Sequence, residues 1–272
     1  MELIIKPKNK WWILDVKEIW RFRDLFYFLT WRDIKVKYKQ TFVGVAWAIF
    51  QPFITMIIFS VFFGKIVEMP SDGIPYPIFV YTGLLFWTLF NAGLSGASNS
   101  FVANQQIVTK IYFPRIILPV SIIITNLVDF FIASLILAGM MIYYQYTPSV
   151  VGLLLIPVLI IISVLSAVGI GLFLASINVK YRDIRYVLPF FMQLLIFMTP
   201  VIYPVSIVSD GYRWLLGLNP MSGVIEAARA GILGTGAIDW SLLLVSVVSM
   251  IFYCFIGFFY FKKVERYFAD VI

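Results

Sequence analysis

Rings, rather than acids or thiols, are what this sequence offers another molecule. Tyr38, Phe42, Trp47, Phe50, Phe53 and Phe59 follow one another into one apolar run, and Phe190, Phe191, Phe197 and Tyr203 along another. An aromatic face packs against the C–H face of a sugar and leaves the hydroxyls to water. Such contacts are weak and repeated, which suits sliding rather than trapping. For any one ring the plain alternative is a core or lipid-facing position, and the sequence leaves both open. The usual catalytic sets are missing. There is no histidine, and with it go the commonest general base and metal ligand. Cys254 is the only cysteine, so neither a disulfide framework nor a thiolate metal site is expected. No glycine-rich loop of the Walker type is present to cradle ATP. Asp129 is the one charged residue between Ile116 and Val179. It either works as a functional acid or sits paired near the start of its helix, and one acid is thin support for ion coupling.

The elements that must position these rings are membrane-spanning helices. Of 272 residues 61% are apolar and 13% charged, against about 25% charged in soluble domains. A run from Gln40 to Gly64 holds no charge, and about 20 apolar residues suffice to cross hydrocarbon about 30 Å thick. Before it comes the basic approach Trp31 to Lys39. Spans are expected at about 41–64, 78–100, 116–144, 150–175, 187–206 and 240–261. The small-residue pairs Gly44 with Ala48, Gly93 with Ala97 and Ala92 with Gly96 are spaced for close helix contact. Asn219-Pro220 is a helix start, and two short apolar pieces, 211–218 and 220–233, are expected to dip into the outer leaflet. Residues 1–40 read as a cytoplasmic tail with an amphipathic interface helix over Trp11 to Thr30, not as a cleavable signal. Residues 41–272 form a single transmembrane domain.

Charge placement tests that threading. Eighteen lysines and arginines fall on segments expected inside and three on segments expected outside. The positive-inside rule then puts both termini in the cytoplasm. The net charge of +7 thus marks membrane edges rather than a nucleic-acid surface. The expected fold is all-α and polytopic.

The residues also resemble a family. Asp24-Leu25, Trp31-Arg32-Asp33, Lys37-Tyr38, Gly44 with Trp47, Gln51-Pro52 and Phe63-Gly64 are similar to the permease of type-2 ABC exporters of bacterial surface polysaccharide. So are Tyr112-Phe113-Pro114-Arg115, Leu118-Pro119, Tyr181-Arg182-Asp183, Thr199 to Pro204, and Asn219-Pro220 with Arg229. The likeness is closest to the O-antigen and teichoic-acid exporters, the O-antigen subunit first. It implies a homodimer in the bacterial inner membrane, paired with two copies of a separate ATP-binding subunit. That subunit would hold ATP and magnesium; this chain would hold no cofactor and be no enzyme by itself.

The implied cargo is a lipid-diphosphate-linked glycan. Under the resemblance the first and fifth spans line the channel, through Tyr38, Phe42, Trp47, Phe50, Phe190, Phe197 and Tyr203. Arg32, Lys35, Lys37 and Lys39 would attract the diphosphate, or else serve only as topology determinants. Gln106, Lys110, Tyr112, Phe113 and Arg115, with Tyr181, Arg182 and Asp183, would dock on the ATPase. Asn219, Pro220, Glu226 and Arg229 belong to the outer gate. The rivals are a drug, lipid or teichoic-acid exporter of the same class, an Asp129-dependent ion-coupled carrier, and a polyprenyl-phosphate sugar transferase built on Asp33 and Asp183.

Overall fold

The computed structural model describes residues 16–39, 44–234, 236–265 and 268. Every regular element among them is helical. In order these are α1 (Val16–Arg21), α2 (Arg23–Lys39), α3 (Gly44–Phe59), α4 (Tyr76–Ala103), α5 (Gln105–Lys110), α6 (Ile117–Tyr144), α7 (Val150–Lys180), α8 (Ile184–Met198), α9 (Arg213–Leu216), α10 (Pro220–Leu233) and α11 (Trp240–Val264). α3 widens into a π-helical stretch over Ser60–Ile66 before it ends.

Among the described residues five helices are long and apolar enough to cross a membrane: α3 with its extension, α4, α6, α7 and α11. The fifth expected span, 187–206, overlaps α8, whose 15 residues cover about 22 Å. It stops at Met198 because Pro200 drives the preceding Thr199 out of the helical region, to φ −90° and ψ 140°. The first part of the expected interface helix, Trp11 to Asp15, lies outside the described residues, and the helix does not end at Thr30. It continues through the basic stretch to Lys39, since nothing from Trp31 to Lys39 breaks a helix.

α4 is the axis of the bundle. It is the least apolar of the five long helices, yet 78% of an apolar 18-residue stretch of it is buried, against 11% for α3. A helix surrounded by protein can carry Gly, Ala, Ser and Asn where a lipid-facing one cannot. α6, α7, α8, α10 and α3 all pack on it. A Cβ on Gly93 would stand 3.3 Å from that of Ala167, and one on Gly171 would stand 2.8 Å from that of Ala97. The small-residue face of α4 thus meets small residues of α7. α7 approaches α10 and α11 as closely: a Cβ on Gly152 would lie 1.9 Å from the Gly231 carbonyl oxygen, and one on Gly257 as near that of Gly169.

Two cores result. The larger fills the middle and one end around Tyr81, Phe86 and Phe90. The smaller, at the end where α2 and α5 lie, joins Leu29, Phe101, Phe113, Leu172 and Phe261. That end also carries most of the bases and is called the basic end below; the other is the far end.

Candidate functional site

At the basic end α2 lies against α6. Lys37 pairs with Asp129, and its ammonium also donates to Asn126 Oδ1 at 3.4 Å. The Tyr38 hydroxyl donates to the other carboxylate oxygen of Asp129. Asp129 is therefore paired, though in the middle of α6 rather than near its start. Burial, with the hydrogen bond and charge of Asp129 behind it, raises the Tyr38 pKa, so the phenol stays a donor at neutral pH. Tyr38, expected among the path-lining rings, instead turns onto α6, because a carboxylate there is a better partner than lipid. Arg32 is also engaged: Nε donates to Asp33 Oδ1 at 2.8 Å, and Nη2 to Asn104 Oδ1 at 3.1 Å. Lys35 and Lys39 are the exposed bases of the four, with Lys35 5.4 Å above the Trp31 ring.

Trp47 and Phe50 are exposed on α3, 6.3 Å apart, and Phe190 and Phe197 are exposed on α8. Tyr203 is partly buried, its hydroxyl on the Met198 carbonyl at 3.0 Å. Phe42 lies outside the described residues. α8 rests on α4 and α7 by its 188, 192 and 195 side. Its opposite side carries Tyr186, Phe190, Gln193 and Phe197, all exposed. The spacing of four, three and four is one helical stripe. Sequence reasoning missed Tyr186 and Gln193 on it, although the stripe was legible in that spacing.

The two turns at the basic end are held on a stiff pair of helices. The Asn178 amide on α7 donates to the Ser98 carbonyl at 2.9 Å and to Asn99 Oδ1 at 3.0 Å, clamping α7 to α4 just before both end. Gln106, Lys110, Tyr181, Arg182 and Asp183 are exposed there. Tyr112 is exposed too, and its hydroxyl donates to Glu18 of α1 at 3.0 Å. Two residues expected on this surface point inward. Phe113 is buried in the smaller core, where its ring removes more apolar area from water than the turn could. Arg115 donates to the Glu265 carbonyl at 2.5 Å and stands 5.4 Å over Phe268, fastening the start of α6 to the end of α11.

At the far end Arg229 of α10 is buried and braces three elements. Its Nε donates to the Phe79 carbonyl of α4 at 3.1 Å, and its Nη2 to the Val201 carbonyl at 2.7 Å. The guanidinium lies 3.5 Å over the Phe79 ring, with Nη1 3.9 Å from Glu226. Gly83 leaves room for it: a Cβ there would stand 2.9 Å from Nη2. Asn219 caps α10 through Oδ1, which accepts from the Met221 amide at 3.1 Å, while its Nδ2 donates to Thr199 Oγ1 at 2.7 Å. Pro220 is the first residue of α10. The residues expected at an outer gate are thus joined into one brace over the end of α8.

Comparison with known proteins gives the family. The chain is 31% identical over 218 residues to the O-antigen export system permease protein RfbA of Myxococcus xanthus, covering 79% of this chain and 82% of that protein. An RfbA of Klebsiella pneumoniae with the same description is 25% identical over 251 residues, 92% of this chain and 95% of that one. The polysialic acid transport protein KpsM of Escherichia coli is 25% identical over 210 residues, 74% and 78% of the two chains. Residues 24–233, which run from α2 to the end of α10, match the ABC-2 type transporter family, and the chain belongs to that family.

Proposed function

We propose that the chain is the membrane permease of an ATP-driven exporter of lipid-diphosphate-linked O-antigen polysaccharide. It acts as a homodimer in the bacterial inner membrane, with both termini cytoplasmic and two copies of a separate ATPase subunit bound at the basic end. ATP and magnesium belong to that subunit. The observation that carries this reading is the likeness over most of the chain to O-antigen export permeases, in a sequence with no phosphate-binding loop of its own.

The placement of these residues supports a sequence of steps. Lys35 and Lys39, exposed beside the α2–α6 contact, attract the diphosphate. The exposed rings of α3 and α8 give the glycan a surface along which no single contact is strong. Arg182 and Asp183, with Gln106, Lys110 and Tyr112, meet the ATPase. Because Asn178 locks α7 to α4, closure of the ATPases moves these helices as rigid bodies rather than bending the turns. The Arg229 brace carries the movement to the end of α8.

The test is export in inverted membrane vesicles holding this chain and its ATPase. ATP should drive labelled lipid-linked glycan into the lumen, and replacing Trp47, Phe190 and Phe197 by alanine should slow it without loss of the assembled complex. Glycan movement at an undiminished rate without nucleotide would overturn the reading.

A further inference from the structure

Two faces of the bundle differ in chemistry from the others. In mid-span the fully exposed residues of α6, α7 and α11 are apolar, as at Leu135, Ile161 and Val248, and the half-exposed Ser134 hydroxyl of α6 is satisfied by the Phe131 carbonyl at 2.7 Å. α3 and α8 each add one polar side chain, Gln51 and Gln193, both exposed. They lie about 10 Å and about 14 Å from the basic ends of their helices, counting the rise from Gly44 and Ile184, so both fall within the hydrocarbon layer. Neither carboxamide has a hydrogen-bond partner among the described residues. Gln51 shares its stripe with Trp47, Ile54 and Ile58; Gln193 shares its own with Tyr186, Phe190 and Phe197.

A primary amide carries two donors and an acceptor. Turned toward acyl chains, which offer no partner, it costs more than any aliphatic residue at the same place. An unpartnered glutamine on each of two helices, and on none of the other outward faces, marks surfaces that do not meet lipid. Its neighbours say what they meet. Rings beside a neutral amide match a sugar: the rings take the C–H faces, and the amide gives and accepts hydrogen bonds with hydroxyls or water. A charged group in the same position would bind water or counter-charge too tightly to let a chain pass.

We propose that Gln51 and Gln193 are the polar contacts of the glycan within the membrane, trading hydrogen bonds with its hydroxyls as it moves. This rests on the export reading. α3 packs on α4 and α6, and α8 on α4 and α7, so the two amides belong to separate seams of one copy, and each copy of the pair supplies both.

The test uses the full complex in membranes, with Cys254→Ser removing the only native thiol. Single Gln51→Cys and Gln193→Cys variants are exposed to a small charged methanethiosulfonate reagent, with Ile161→Cys and Val248→Cys as controls. The first two should react much faster than the controls. Separately, Gln51→Leu and Gln193→Leu should each lower glycan export by about fivefold, the loss of one neutral hydrogen bond. Thiols as unreactive as the controls would mean that lipid or a dry contact between copies covers these faces. That result, or leucine variants exporting at the parental rate, overturns the proposal. The parental complex is the separate control: if it exports no glycan, the export reading itself has failed.

Discussion

Asp129 shows how far a single residue is from its sequence neighbours in what it does. It lies in a long uncharged stretch, yet Lys37 and Tyr38, about ninety positions earlier, both turn to it. Lys37 and Asp129 are each partly exposed, so the pair is worth about 1 kcal/mol rather than the value of a buried one. Asp129→Asn should lower the thermal midpoint of the solubilised protein by a few degrees, and the exchange Lys37→Asp with Asp129→Lys should restore most of it. Arg229 stands at the other extreme. Buried and bonded to two backbone carbonyls, it should not tolerate Arg229→Lys, because an ammonium cannot reproduce the planar fork or the stacking on Phe79. A loss of about 3 kcal/mol is expected, read by chemical denaturation; an unchanged midpoint would mean that the brace is idle.

At the scale of elements, helix contacts are set by side chains that are absent. The Gly257 position faces the Gly169 carbonyl with no room for a methyl. Gly257→Ala should cost about 1–3 kcal/mol by overpacking. Gly139→Ala on α6, where nothing lies within 4 Å, should be neutral or gain up to about 1 kcal/mol from helix propensity. Equal effects from the two would refute backbone contact between α7 and α11. The start of α11 gives a pH prediction. Asp239 caps it, accepting from the Leu242 amide at 3.0 Å and from Ser241 at 2.6 Å. Burial alone would push its carboxyl up, but these hydrogen bonds outweigh burial and leave it below the usual value. A carboxyl depressed by folding adds stability above its unfolded pKa of about 3.9 and loses it as pH falls through the folded value. Asp239→Ala should therefore cost about 1 kcal/mol at neutral pH and flatten the acid limb of the stability profile.

For the whole molecule, the clamp between α4 and α7 makes one prediction separate from folding. Arg182→Ala with Asp183→Ala alters two exposed side chains, so the complex should keep its thermal midpoint. Its ATP hydrolysis should no longer rise and fall with glycan export. Export and hydrolysis still in step would show that this turn carries no coupling.

The sequence by itself determined the helical class, five of the spans nearly to their ends and the start of α10 at Asn219-Pro220. It could do so because the choice between lipid, water and turn depends on the composition of a short stretch and on local stereochemistry. Only the tertiary structure decided that Lys37 and Tyr38 serve Asp129, that Phe113 and Arg115 face inward, and that Gln51 and Gln193 face outward. Those outcomes depend on which helices lie side by side. In a bundle of uniformly greasy segments, such adjacency is fixed by glycine contacts and a few long-range polar bonds, which no local pattern encodes.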